Sequence, residues 1–351
     1  TATVIPRGVG NRVALGGLAI YTGELPGADG PQDFYAEQRV ASGVVYGRRS
    51  YATGSFEVEV SIERDSGTVL TRCLWTPNGT DDSHDTDATM IEVSTWLLGG
   101  RPSSASVNAT VGSLERTAVP SDSLASSPMV IKGAIATTVL TGDGGGARLV
   151  SLTAHPAANE SDGAMVVHRL AIKPGRRFAF ATTYSDSILS PDEEPVHTAR
   201  AAAAALVTEG AGCADRLARQ SAEWWQRFWA NASISLPQHP GVSYVWHTAA
   251  YMSARDSSTR SDVAGPGLFG PMITSDKALW GGDFPLDYDF QKQYFGIMTH
   301  HELAAAFFAN ILEYIPMAAK AASNWIGAAR AADTLPAECT SEVASRALHF
   351  A

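Results

Sequence analysis

The segment Phe56-Glu57-Val58-Glu59-Val60-Ser61-Ile62-Glu63 alternates apolar and polar residues over its whole length. Successive side chains of a strand point to opposite faces, so this pattern predicts a β-strand with one face on a core and one in water. Further short apolar runs with strand character follow, and turn-rich stretches such as 141–146 and 159–163 separate them. Many short strands joined by polar turns predict a sandwich of antiparallel sheets. These further runs cover residues 129–131, 134–140, 149–154, 165–172 and 178–184.

The chain changes character near residue 190 and becomes helical. A proline- and acid-rich stretch at 191–195 suits a helix start, and an alanine-rich helix is expected over 198–207. Further helices are expected over 213–230 and 240–255, with more helical stretches after residue 299. The sequence therefore predicts an all-β domain over 1–190, a helical linker over 191–239 and a helical domain over 240–351.

Three tryptophans lie close together in the second of these helices, at positions 224, 225 and 229. Such rings can line a sugar subsite, because aromatic faces stack on the C–H faces of sugars. On an amphipathic helix, however, a cluster of this kind more often packs a linker onto the neighbouring domain. We expect the packing role here.

Composition excludes several classes of protein. The chain has 351 residues, of which 45% are hydrophobic and 18% charged, and its formal net charge is −10. A net-acidic chain lacks the basic surface that nucleic acids require, so we expect no nucleic-acid partner. No apolar run approaches the ~20 residues of a membrane helix. Cys73, Cys213 and Cys339 are far apart, which excludes a disulfide-built fold and a cysteine zinc site.

Four of the seven asparagines lie in Asn-x-Ser/Thr sequons. They are Asn78, Asn108, Asn159 and Asn231. This excess favours a secreted glycoprotein, located outside the cell or in the secretory pathway, and the alternative is coincidence in a chain rich in serine and threonine.

Residues 279–295 hold the densest set of chemically active side chains: three acids, three aromatics with polar groups, and glutamines. Sugar sites need this mixture, because aromatic faces stack on the ring while carboxylates and amides bind the hydroxyls. Paired carboxylates are also the usual groups for cleaving glycosidic bonds. The plainer alternative is a loop with solvated acids and core tyrosines. The predicted site residues are Asp287 and Asp289 as catalytic groups, with Trp280, Asp283, Tyr288, Gln291 and Tyr294 as substrate-binding groups.

A cation held by Asp287 and Asp289 is a weaker alternative, since no third ligand set accompanies them. His300 and His301 are adjacent, and neighbouring side chains on a helix point about 100° apart, so they do not share a metal easily. We therefore expect no metal site and no cofactor.

The region from Tyr244 to Tyr314 resembles the catalytic-barrel entrance of glycoside hydrolase family 95, the α-L-fucosidase and α-L-galactosidase family. The resemblance rests on the Tyr- and Ser-containing stretch 251–258, on Leu268-Phe-Gly-Pro-Met272, on Trp280 and on Pro285-Leu-Asp-Tyr-Asp-Phe-Gln-Lys-Gln-Tyr-Phe295. It implies an N-terminal β super-sandwich, linker helices and the first part of an (α/α)6 barrel, the six-hairpin glycosidase architecture. It also implies an inverting glycosidase acting on a carbohydrate substrate.

The sequence departs from the family pattern at informative positions. Asp287 and Asp289 stand where the family has two asparagines that help to position the attacking water, and Pro285 stands where it has a sugar-selecting histidine. The family's general acid and principal base lie far downstream, so we expect residues 1–351 to be a fragment that does not catalyse alone. Two alternatives stay open: another six-hairpin glycosidase or phosphorylase, and a non-catalytic carbohydrate-binding protein on the same scaffold.

Overall fold

The computed structural model describes residues 16–23, 33–78, 89–97, 103–118, 131–140, 145–159, 163–187, 192–210 and 212–256, and the isolated residues 300, 303, 315, 319, 322 and 323. The strands are β1 (Gly16–Tyr21), β2 (Asp33–Arg39), β3 (Val44–Tyr51), β4 (Gly54–Ile62), β5 (Val69–Pro77), β6 (Thr89–Leu97), β7 (Ser103–Asn108), β8 (Val111–Ala118), β9 (Ile131–Leu140), β10 (Ala147–His155), β11 (Met165–Ile172) and β12 (Arg177–Asp186). The helices are α1 (Pro195–Glu209), α2 (Cys213–Asn231) and α3 (Pro240–Asp256).

The strands form two antiparallel sheets. The small sheet has the order β1-β6-β11-β10, and the large sheet has the order β2-β3-β4-β5-β12-β9-β8-β7. Hairpins account for most neighbours, but β12 lies between β5 and β9 and so joins the β2–β5 meander to the β7–β9 meander. The predicted antiparallel β domain is confirmed.

The main core lies between the two sheets. Phe178 and Phe180 of β12 pack there with Trp75 of β5, opposite Ile91 and Leu170 of the small sheet. All five side chains are at most 2% exposed. Burial in this core also raises the pKa of the Cys73 thiol, as expected for a thiol that serves as a small apolar side chain.

Polar groups interrupt this core at one place. The hydroxyl of Thr95 donates to Thr137 at 3.0 Å, and Thr137 bonds Thr182 at 3.1 Å, so a chain of threonines links the sheets. His168 of β11 is 0% exposed, and neither ring nitrogen has a hydrogen-bond partner of ordinary geometry. A Cβ on Gly112 would lie 3.2 Å from the His168 ring and 2.3 Å from Val166, so glycine makes room for this approach.

Helices α1 and α2 cover the outer face of the large sheet. Ala199 and Ala203 of α1 pack on β8 and β9, while Cys213 and Leu217 of α2 pack on β5, β9 and β12. Both faces of β9 are therefore covered, which explains why all but one of its residues are buried. A bidentate ion pair between Arg216 and Glu209 spans the α1–α2 joint, with its longer N–O distance at 2.6 Å.

The alternation of residues 56–63 is only partly realised. Phe56 and Val58 face the core as predicted, but Ile62 is 46% exposed and Glu63 only 6% exposed. The prediction is wrong at this end because the following turn wraps the carboxylate of Glu63, which accepts hydrogen bonds from the backbone of Asp65 and Ser66 and from the Ser66 hydroxyl. These bonds outweigh burial and lower the pKa of Glu63.

The chain separates into two compact units, one made of Asn11–Met252 with Met272–Gly281, the other of Thr1–Gly10, Ser253–Pro271 and Gly282–Ala351. The described strands, α1 and α2 all belong to the first. The helices predicted over 198–207, 213–230 and 240–255 are confirmed as α1, α2 and α3. The rest of the predicted barrel segment, after residue 256, lies almost wholly outside the described residues. None of the helices in the described ranges is long and apolar enough to cross a membrane.

Candidate functional site

The tryptophans of α2 dock the helix onto the turn between β2 and β3. The indole N–H of Trp229 donates to the carbonyl of Val40 at 3.2 Å. Gly43 lies directly against Trp225: an added Cβ would lie 1.8 Å from the indole nitrogen, and the backbone φ of +65° also favours glycine. The turn therefore fits the ring only because it lacks a side chain at this position.

Helix α3 completes this aromatic cluster. The ring of Tyr251 stacks on Trp225 with centroids 4.9 Å apart, and its hydroxyl accepts a hydrogen bond from Gln38 at 2.8 Å. Trp225 and Tyr251 are each 4% exposed, so neither can present a face to a ligand. The predicted packing role is confirmed for Trp225, whereas Trp224 and Trp229 are only half-buried.

Trp224 has a different partner. The guanidinium of Arg64, in the turn after β4, lies 4.4 Å from the centroid of its ring. Burial lowers the pKa of Arg64. A cation over an aromatic face in a partly desolvated place is worth about 1–2 kcal/mol, so this contact fixes α2 to the sheet at a second point.

A pocket of about 640 Å³ opens beside Trp229. This volume lies in the range of small-molecule sites. We call it the α2–α3 pocket. Its walls are mainly apolar, and its polar groups are an amide, a hydroxyl and an imidazole. The lining residues are Val40, Ala41, Gln226, Trp229, Ala230, Ser233 and His247.

The imidazole of His247 has a defined tautomer. Its Nδ1 lies 2.7 Å from the carbonyl oxygen of Ser243, and a carbonyl can only accept, so Nδ1 carries the proton. In the neutral ring Nε2 is then an acceptor, able to bind a hydroxyl. The described lining contains no Asp or Glu, so the α2–α3 pocket has groups for binding but no carboxylate pair for glycosidic cleavage.

All seven predicted site residues lie outside the described residues. These are Trp280, Asp283, Asp287, Tyr288, Asp289, Gln291 and Tyr294. Their roles stay predictions. Within the described ranges, no three His, Cys, Asp or Glu side chains lie close enough together to hold a metal ion.

The sequence did not predict the α2–α3 pocket, and of its lining residues only Trp229 was singled out. Its other residues come from the β2–β3 turn, from the exposed side of α2, from the extended segment after it and from α3. No spacing in the sequence connects these segments, because only the docking of α2 on the β2–β3 turn brings them together.

The sequence matches no protein-family profile and no curated protein. Among solved structures, the chain is similar to a candidate kojibiose phosphorylase from the human microbiome, with 10% identity and a TM-score of 0.53 over 79% of this chain and 35% of that one. It also aligns with a bacterial glucoamylase complexed with acarbose, at 8% identity and a TM-score of 0.42 over 78% of this chain and 39% of that one. A family GH92 α-mannosidase from Bacteroides thetaiotaomicron aligns at 13% identity and a TM-score of 0.30, over 68% of this chain and 29% of that one.

The likeness to the candidate phosphorylase shows a shared fold. The chain spans about a third of the length of that protein.

Proposed function

We propose that this chain belongs to a glycosidase that hydrolyses O-glycosidic bonds of oligosaccharides or glycans, as an inverting, α-L-fucosidase-like enzyme. The observation that carries the proposal is the segment 279–295, whose acids, aromatics and amides resemble the barrel-entrance motif of glycoside hydrolase family 95. The fold that the chain shares with a candidate sugar phosphorylase agrees with a carbohydrate substrate by fold-level analogy.

In this proposal Asp287 and Asp289 orient the attacking water or the sugar hydroxyls. An inverting glycosidase also needs a general acid and a base on opposite sides of the bond, about 6.5–9.5 Å apart, with water between them. We assign the acid and the principal base to polypeptide beyond residues 1–351. Asp283 and Gln291 bind hydroxyls in this scheme, while Trp280, Tyr288 and Tyr294 stack on or shape the site.

We also propose that the protein is extracellular or passes through the secretory pathway, on the strength of its four sequons. No metal or cofactor enters the scheme, since two carboxyl groups suffice for the reaction.

The test uses the full-length gene product with nitrophenyl α-L-fucosides, α-galactosides and β-arabinosides. Release of nitrophenol, with the first sugar product in the inverted anomeric form by NMR, is the expected result. No release from any of the three, while sugar is still bound, would instead favour a non-catalytic carbohydrate-binding protein.

Two substitutions at each aspartate separate the possible roles. If Asp287 or Asp289 holds the water by hydrogen bonds alone, Asn keeps kcat and Ala lowers it. If it acts as a base, Asn lowers kcat by about 100-fold or more as well. Asp192→Asn, an exposed aspartate before α1, is the matched control and leaves kcat unchanged. Unchanged kcat in the double Ala variant would remove both residues from the mechanism.

A sugar phosphorylase is the second candidate, because the chain shares its fold with a candidate kojibiose phosphorylase. A phosphorylase consumes inorganic phosphate and forms a sugar 1-phosphate, whereas a hydrolase needs only water. Turnover that depends on phosphate would therefore favour this candidate and contradict the first.

A further inference from the structure

We propose that Asn78, Asn108, Asn159 and Asn231 carry N-linked oligosaccharides. In this step the side-chain amide nitrogen attacks C1 of the first sugar of a lipid-diphosphate-linked oligosaccharide. A C–N bond forms, the C1–O bond to the diphosphate breaks, and the lipid diphosphate leaves as the amide loses one proton. The inference is independent of the proposed glycosidase activity.

All four asparagines are exposed in the folded structure, and each lies at the end of an element or in a connection. The sandwich buries hydroxyl residues freely, among them Thr71, Thr95 and Thr137. A sequon on such a strand would be unable to carry a glycan in the folded protein, and none of the four described sequon asparagines is of that kind.

Asn108 ends β7, and the two-residue connection Ala109-Thr110 leads directly into β8. The φ of Ala109 is +49°, so the chain turns sharply here in the left-handed region. A hairpin tip of this kind projects from the sheet, and a glycan on Asn108 leaves the β7–β8 ladder intact.

Asn78 follows β5 and makes two hydrogen bonds to the turn before β4. Its backbone N–H donates to Thr53 at 2.7 Å, and its side-chain amide donates to the carbonyl of Ala52 at 3.1 Å. A glycosylated amide retains one N–H, which is enough for this single bond. The site therefore orders the base of the glycan without losing a contact of the unmodified protein.

Asn231 is the last residue of α2, and an extended segment follows it. Its sequon hydroxyl, Ser233, is exposed, and both Ala230 and Ser233 line the α2–α3 pocket. A glycan at Asn231 stands beside this apolar opening and shields it from other proteins. Asn159 is an exposed residue in the connection between β10 and β11.

The test isolates the protein from the cells that produce it and removes N-glycans with an amidase in heavy-oxygen water. Each occupied asparagine becomes a labelled aspartate, which peptide mass spectrometry locates. We expect label at the four sequons and none at Asn11, Asn310 and Asn324, which lie outside sequons. Recovery of all four sequon peptides without label would overturn the proposal, and a single unlabelled sequon would remove that site.

Paired substitutions provide the matched control. Thr110→Ala destroys the sequon of Asn108 and Thr110→Ser preserves it, so only the first abolishes the label there. Ser233→Ala and Ser233→Thr form the same pair for Asn231. Loss of label in both members of a pair, or in neither, would contradict attachment at that sequon.

Discussion

Acid should destabilise the β sandwich through one buried side chain, His168. Desolvation between the sheets lowers its pKa to about 4, although backbone groups of Thr137 and Val93 offset part of the effect. The unfolded chain has a histidine pKa of about 6.5. The folded protein therefore binds the proton less readily than the unfolded chain does.

Proton linkage determines how the free energy of unfolding changes with pH. With the folded pKa below the unfolded one, the stabilising effect of the neutral ring is fully present above about pH 6.5 and is lost as pH falls toward about 4. One group with these pKa values lowers the free energy of unfolding by about 2 kcal/mol between about pH 7 and about pH 5, and by about 3 kcal/mol at about pH 4. These amounts are a substantial fraction of the stability of an ordinary domain.

Urea denaturation of wild type and His168→Leu at about pH 7 and about pH 5 measures this directly. Leucine is of similar bulk and does not titrate, so the variant should lose less stability on acidification, by about 2 kcal/mol. Carboxylates that titrate in the same range are common to both proteins and cancel in the comparison.

The exposed His197 of α1 provides the control, because His197→Gln should keep the full acid sensitivity of wild type. Equal loss of stability in wild type and in His168→Leu would refute the reasoning, and so would an acid response that His197→Gln removes.

Three further changes test the packing. Gly43→Ala places a Cβ against Trp225 at a positive φ, so the urea midpoint should fall by the equivalent of about 2 kcal/mol or more, and an unchanged midpoint would contradict the docking. Ala109→Gly relieves a left-handed alanine and should raise the melting temperature, with a gain of about 0.5–1 kcal/mol, whereas a lower Tm would contradict the turn geometry. Arg216→Met removes a partly exposed ion pair with Glu209, so the loss should stay below about 1 kcal/mol and vanish in high salt; a salt-independent loss would point to packing instead.

Local patterns predicted the three helices and five of the twelve described strands, β4 and β9 to β12, but not the other seven. The helix expected over 213–230 is α2 (Cys213–Asn231), whose apolar residues recur at helical spacing. The run 165–172 is β11 (Met165–Ile172), which is mostly apolar because it is buried in the sandwich. The strand order was not predicted, since pairing of β12 with β5 depends on contacts about a hundred residues apart. The burial of Glu63 also escaped prediction, because its partners are backbone groups that no residue pattern reveals.

For the candidate site, the sequence allows a prediction of the residue types involved but not of their arrangement in space. Asp287 and Asp289 stand out by residue type and spacing, but their surroundings depend on packing that a sequence does not encode locally. The structure defines the geometry of the α2–α3 pocket, but of its lining residues the sequence singled out only Trp229. The pocket is assembled from separate segments, which no sequence pattern connects.

The position of β12 in the middle of the large sheet has a consequence for biosynthesis. The ribosome completes the β2–β5 meander and the β7–β9 meander before residue 177 is made. One edge of β5 and one edge of β9 therefore stay unpaired until β12 inserts between them. Exposed edges invite pairing with other chains, so nascent protein is most vulnerable to aggregation during this interval. A chaperone that masks strand edges should therefore raise the yield most when it engages the chain before β12 emerges.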